Sequence, residues 1–244
     1  MPQSMLSSSV LIENKNGSSG SGTIIFSGKH AREADGRVHT YVLTNWHVID
    51  PSMLFRFTRT HTRRAHAKGE QRERWKVKRL AVKVTVYRYA ASGVMSEISH
   101  QADIVACDKE KDLALLRLRT GNLLPCARFA ARTHVVETFG KVWAVGCPIG
   151  YSPFPTEGIV GGIKKAGRAL RILASTPIFF GNSGGGLYQL HDETGHKLIG
   201  VTTEVGSDDG VAVAHLSLSI PIRSVYEFLE RHSFGFIARV QTAP

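Results

Sequence analysis

From Ser9 to Pro221 the apolar residues come in short runs rich in Val, Ile and Thr, each cut off by Gly, Pro or a charged turn. Nowhere in that stretch does a helical period take hold. The pattern commits the chain to many short strands joined by many turns, about a dozen in all, and so to an all-β architecture. YVLTNWHVI reads as one buried strand ended by Asp50 and Pro51, and WKVKRLAVKVTVYRY as one alternating strand. NKNGSSGSG suits either a flexible linker or a tight turn, and its brevity before the apolar TIIF favours the turn. Only after Pro221 does the period change. There Ile222, Val225, Phe228 and Leu229 share one face of a single C-terminal helix, with Pro221 suited to its first position.

A chain of 244 residues and 26.7 kDa can bury a sizeable core as one domain or two fused halves. No apolar run reaches the roughly 18 residues of a membrane-spanning helix. The amino terminus shows no basic segment followed by a continuous apolar one, so no secretory signal is read and cytoplasmic residence is the expectation. Cys107, Cys126 and Cys147 form no CxxC pair and are odd in number, which points to buried thiols and to no metal site. No cofactor is expected. The net charge of +11 is concentrated: twelve Lys and Arg from Arg56 to Arg88 face only Glu70 and Glu73. That window reads either as a solvated loop and strand face or as a docking surface for a polyanion or acidic partner at 56–88.

Acyl transfer by serine needs a hydroxyl, an imidazole to take its proton, and a carboxylate to hold that imidazole in one tautomer. His47 in LTNWHVI, Asp112 in DKEKDLALL and Ser183 in GNSGGG each sit where an apolar run gives way to a turn. Asp108 competes with Asp112, its other reading being a solvated turn residue. Glycines around Ser183 let backbone amides approach a substrate carbonyl, and those of Gly181 and Ser183 are the candidates for an oxyanion hole.

LTNWHVI, DLALL and GNSGGGL, in that order and with SGSGTII before them, resemble a trypsin-like serine protease of the HtrA (Deg) branch. AVGCPIG, EGIVGGI, LIGVTT and LSIP extend the resemblance, which covers about Ser18 to Ile222. It implies two six-stranded antiparallel β-barrels of the chymotrypsin-like kind, a catalytic triad of His47, Asp112 and Ser183, and a protein or peptide substrate. The barrels would occupy 1–125 and 126–220, with the helix and tail in 221–244. Two departures stand out: Val48 follows the His where classical trypsins carry Cys, and Asn182 precedes the Ser where they carry Asp. A neutral Asn182 leaves no partner for a newly cut amino terminus. No PDZ domain is read after the peptidase region.

The segment before Ser183 (Pro177, Ile178, Phe179, Phe180) carries no carboxylate, so Ile178, Phe180 and Ser217 are taken as the substrate pocket, beside Leu216, Leu218 and Ser219. Small or medium aliphatic P1 residues are expected. Rival readings turn His215 inward for Glu or Gln, or fold Asp208 or Asp209 over the mouth for a basic residue. Alternative functions are a catalytically latent trypsin-fold binding module and a polyanion-associated adaptor using the basic window.

Overall fold

A computed structural model describes residues 3–14, 17–29, 36–49, 55–61, 73–79, 82–90, 93–166, 169–191 and 195–241. For 55–61 and 73–79 only the backbone is described. A short helix α1 (Gln3–Ser8) leads into β1 (Ser9–Glu13), β2 (Ser19–Gly28) and β3 (His39–Thr44). Next come a single helical turn α2 (Trp46–Ile49), β4 (Phe55–His61), β5 (Glu73–Arg79), β6 (Val82–Ala90), β7 (Gly93–Asp108) and β8 (Leu113–Leu118). The second half runs through β9 (Lys141–Gly146), β10 (Phe154–Ala166), β11 (Ala169–Ala174), β12 (Gly186–His191), β13 (Gly195–Asp208) and β14 (Val211–Pro221). It ends in α3 (Ile222–Arg231) and α4 (Gly235–Gln241).

The strands close into two antiparallel barrels, β1-β2-β3-β8-β7-β6 and β10-β11-β14-β13-β12-β9, while β4 and β5 pair apart as a two-stranded sheet. This is the expected chymotrypsin-like double barrel. Several local expectations change. WKVKRLAVKVTVYRY divides between β5 and β6, which belong to different sheets. WHVI is helical, and helices appear at Gln3–Ser8 and Gly235–Gln241 as well as after Pro221. The glycine-rich segment is a turn closed by Asn14 N–H on the Ser18 carbonyl, with SGSG already inside β2.

The central strands read as continuous apolar runs because both their faces are buried. On β2, β3 and β8 the residues alternate between two cores. Ile24, Val42, Ala114 and Leu116 fill the first barrel. Ile25, Leu43 and Leu115 face outward into a second core shared with Val145, Tyr188, Leu198 and Ile220 of the other barrel. The amphipathic α3 adds Val225, Phe228 and Leu229 to that shared core, and α4 adds Phe236 and Ile237. The Phe236 ring stands edge-on to Phe26 at 5.5 Å, and Phe234 to Tyr41 at 5.4 Å. The barrels thus meet through a core that the C-terminal helices complete. Pro221 sits one position earlier than expected, at the helix cap. No helix among the described residues is long and apolar enough to cross a membrane.

Candidate active site

His47, Asp112 and Ser183 come from three separate turns. His47 lies on α2, immediately past β3. Its backbone N–H donates to Asp112 Oδ1 at 3.0 Å, and its ring Nδ1 lies 2.8 Å from Oδ2 and 3.0 Å from Oδ1. A carboxylate only accepts, so Nδ1 carries the hydrogen, and in the neutral ring the lone pair is then on Nε2, the form a general base needs. Asp112 ends the turn between β7 and β8 with φ of 55°, a left-handed conformation unusual for a non-glycine residue. Two bonds hold it there: its N–H donates to the Lys109 carbonyl at 3.3 Å, and its own carbonyl accepts from Asn45 Nδ2 at 2.9 Å. Asp108 plays a different part. Its carboxylate accepts from Lys111 N–H at 3.0 Å and from Arg231 at 3.4 Å, so it fixes the turn from a largely buried position rather than in solvent.

Thr203 on β13 was not legible as a site residue. Its hydroxyl donates to Asp112 Oδ2 at 2.6 Å, and its carbonyl accepts from Ser183 Oγ at 3.0 Å. One residue therefore touches both Asp112 and Ser183. Burial pushes the Asp112 carboxyl up, but hydrogen bonds from His47 and Thr203 and the nearby imidazole outweigh it and hold the group below its ordinary value. A carboxyl so depressed stabilises the fold above its ordinary pKa, and that stabilisation is lost as pH falls through the folded value. Thr203→Val should destabilise the chain by about 1.5 kcal/mol at neutral pH, a difference that shrinks as pH falls through the folded Asp112 value. It should also lower kcat/KM about tenfold. Urea unfolding across an acid titration checks this, and a loss that stays constant down the whole titration would remove Thr203 from the carboxylate's environment.

Ser183 stands in a tight turn between Phe180 and Gly186, and each carbonyl from 180 to 183 is occupied. Phe180 accepts from Ile149 N–H at 2.7 Å, Gly181 from Ser21 Oγ at 2.6 Å, Asn182 from Gly185 N–H at 2.9 Å, and Ser183 from Ser21 N–H at 2.7 Å. The N–H groups of Gly181 and Ser183, by contrast, donate to no group among the described residues. Because a trans peptide sets N–H opposite C=O, fixing the Phe180 carbonyl on Ile149 turns the Gly181 N–H the other way. Gly181 reaches this with φ of 96°, where a side chain is strained. Two open, fixed donors beside a serine hydroxyl can stabilise a developing oxyanion. At rest the Ser183 proton is given to Thr203 and not to His47, a looseness common in unliganded sites.

The residues named for the substrate pocket fall in different surroundings. Phe180 is 68% exposed and stacks edge-on with Phe179 at 5.2 Å. Ile178 is buried in the core of the second barrel. Ser217 is buried too, its hydroxyl 2.7 Å from Thr176 Oγ1 and donating to the Ala174 carbonyl at 3.0 Å. Val205, two residues past Thr203, packs against the cluster that contains Ile178. His215, Asp208 and Asp209 are exposed.

Cys147 is buried beside the Ser183 loop, while Cys107 and Cys126 are only partly covered, a correction to three buried thiols. Burial pushes the Cys147 and Cys126 thiols up to about 12, which keeps them protonated. No cluster of His, Cys, Asp and Glu among the described residues is arranged to hold a metal ion. Of the basic window, the side chains of 55–61 and 73–79 and all of 62–72 and 80–81 lie outside the described residues. Lys83 within it is paired with Glu13 at 2.8 Å, and nothing described assigns the window a polyanion.

The trypsin-like peptidase domain matches residues 20–201. Among curated proteins, the chain is 30% identical over 154 residues to "Protease Do-like 1, chloroplastic" of Arabidopsis thaliana, covering 59% of this chain and 34% of that protein. It is 27% identical over 146 residues to "Probable periplasmic serine endoprotease DegP-like" of Buchnera aphidicola subsp. Schizaphis graminum, covering 57% and 29%. Against "Probable serine protease do-like" of Buchnera aphidicola subsp. Acyrthosiphon pisum it is 28% identical over 131 residues, covering 52% and 26%. The aligned regions span about a third or less of these relatives.

Proposed function

Because the chain belongs to the trypsin-like peptidase family, we propose that it is a serine endopeptidase working through His47, Asp112 and Ser183. Ser183 Oγ turns from the Thr203 carbonyl to His47 Nε2 and attacks the scissile carbonyl as His47 takes its proton. The oxyanion is received by the N–H groups of Gly181 and Ser183. His47 then returns the proton to the leaving amine, an acyl-enzyme forms on Ser183, and water activated by His47 hydrolyses it. Asp112 holds the imidazole and stabilises its charged form. The observation that carries this reading is the Nδ1 contact of His47 with Asp112 at 2.8 Å, with two unengaged amides at Ser183.

The Ser183 to Thr203 bond favours one second reading, a latent module that never makes the His47 contact. A fluorophosphonate probe separates them: covalent labelling of the native chain, lost on denaturation, is expected of the peptidase. An unlabelled native chain would support the latent module.

The same site favours small or medium aliphatic P1 residues. The segment from Pro177 to Phe180 before Ser183 carries no carboxylate, and the Ser217 hydroxyl is engaged by Thr176 and the Ala174 carbonyl. A P1 Lys or Arg would bury a charge without a partner, at several kcal/mol. In a P1 peptide library, Ala, Val, Ile and Leu should dominate. Dominance of Arg would instead implicate Asp208 or Asp209, and dominance of Glu would implicate His215.

A further inference from the structure

Ser21, in the SGSG run of β2, is fully buried and makes four hydrogen bonds. Its N–H donates to the Ser183 carbonyl at 2.7 Å, and its carbonyl accepts from Thr44 Oγ1 at 2.7 Å. Its hydroxyl accepts from Cys147 N–H at 2.7 Å and lies 2.6 Å from the Gly181 carbonyl. The backbone amide of Cys147 can only donate, so the single hydroxyl proton of Ser21 goes to Gly181. The surroundings leave room for that hydroxyl and little else. A Cβ on Gly20 would lie 2.6 Å from Val48, one on Gly22 2.6 Å from Val42, and one on Gly146 2.8 Å from Ser21 Oγ itself. One on Gly184 would collide with the Ser21 carbonyl.

We propose that the Ser21 hydroxyl is the positioning group of the oxyanion hole, supplied by the first barrel to a loop of the second. Of the four carbonyl bonds that fix residues 180 to 183, three come from backbone amides, and only that of Gly181 depends on a side chain. Gly181 lacks a Cβ and is the residue of the loop most free to rotate. The Phe180 carbonyl on Ile149 sets one side of Gly181, and the Ser21 hydroxyl sets the other. Without the hydroxyl, the peptide after Gly181 keeps only the bond from Asn182 N–H to the Phe179 carbonyl at 3.0 Å, and the open N–H groups on either side of it lose the second constraint on their common aim. Ser21 touches no reacting atom, and the proton of its hydroxyl acts through Gly181. Its hydroxyl also joins the barrels at the point where their alignment decides whether the hole exists.

This inference rests on the serine peptidase reading, so the test begins with the parent chain. A parent that neither labels with a fluorophosphonate nor cleaves peptide overturns that reading and this one with it. With an active parent, Ser21→Ala should lower kcat about 100-fold and leave KM for a peptide amide within about threefold. Affinity for a peptide aldehyde, whose adduct places an oxyanion in the hole, should fall by a similar factor. Affinity for a noncovalent product peptide should not. Thr44→Val removes another buried bond to the same residue and none of the four that fix the carbonyls of 180 to 183. It should cost comparable stability with kcat within a few-fold of the parent, which separates positioning from general loosening. Should Ser21→Ala be insoluble, Ser21→Cys supplies a weaker donor on a somewhat larger atom, and a soluble protein with kcat reduced at least tenfold is expected. Parent-like kcat in either soluble variant, or an equal kcat loss in Thr44→Val, overturns the role of Ser21 and leaves the triad untouched.

Discussion

Ser183→Ala is expected to lower peptide hydrolysis by about 10⁴-fold or more and to leave the melting temperature within about 2 °C of the parent. The nucleophile has no substitute in the site, since the thiol of Cys147 is buried and protonated. What the variant loses structurally is one hydrogen bond to the Thr203 carbonyl from a part-buried hydroxyl, a small term beside two barrel cores. The backbone of Ser183 keeps its bond to Ser21 and its open N–H, so residual rate over water should persist. His47→Ala should fall nearly as far, and the double variant no further, because the groups act as one unit. Turnover of Ser183→Ala at half the parent rate, measured with casein and a small peptide amide, would falsify the assignment.

Gly184→Ala should strongly destabilise the fold. Gly184 has φ of 88°, and its N–H is bonded to the Thr202 carbonyl at 2.8 Å. A Cβ there would collide with the Ser21 carbonyl and the Thr44 hydroxyl. Neither neighbour can retreat: Ser21 is held between Leu11 and the Ser183 loop, and Thr44 is paired with Ala114. Backbone strain and collision together should cost about 4 kcal/mol, or a fall of roughly 10 °C in melting temperature. Insoluble expression or that fall is the expected result. A soluble Gly184→Ala with the parent melting temperature would mean that β2 and the Ser183 loop do not approach as described.

What the sequence disclosed depended on how local each signal was. The two barrels were legible because strand pattern and turn chemistry are written within each segment, as in TIIF and LALLRL. His47, Asp112 and Ser183 were legible because each brings its own neighbours, and the structure adds that Asp112 is the carboxylate facing His47. Thr203 was not, since its meaning comes from the register of β13 and a partner 91 positions away. Ser21 was visible only as part of a turn and strand, its contact with Gly181 lying 160 positions along. The turn at WHVI misled for a related reason. Val48 and Ile49 favour extended backbone, yet the His47 N–H is claimed by Asp112, and that tertiary bond fits one helical turn. α4 is too short to announce itself, and Phe236 and Ile237 are ordered by rings of the first barrel.

The shared core has a further meaning for the order in which its parts are made. Phe26 and Tyr41 leave the ribosome well before Phe234 and Phe236, which cover them. His47, Asp112 and Ser183 are all synthesised before that cover exists. Seats for α3 and α4 must therefore stay open until both barrels have emerged, and the barrels cannot be locked together one after the other. Their closure is a long-range event of the kind that folds slowly. The alignment of the barrels, with Ser21 of one set against Gly181 of the other, is completed only once these helices are made.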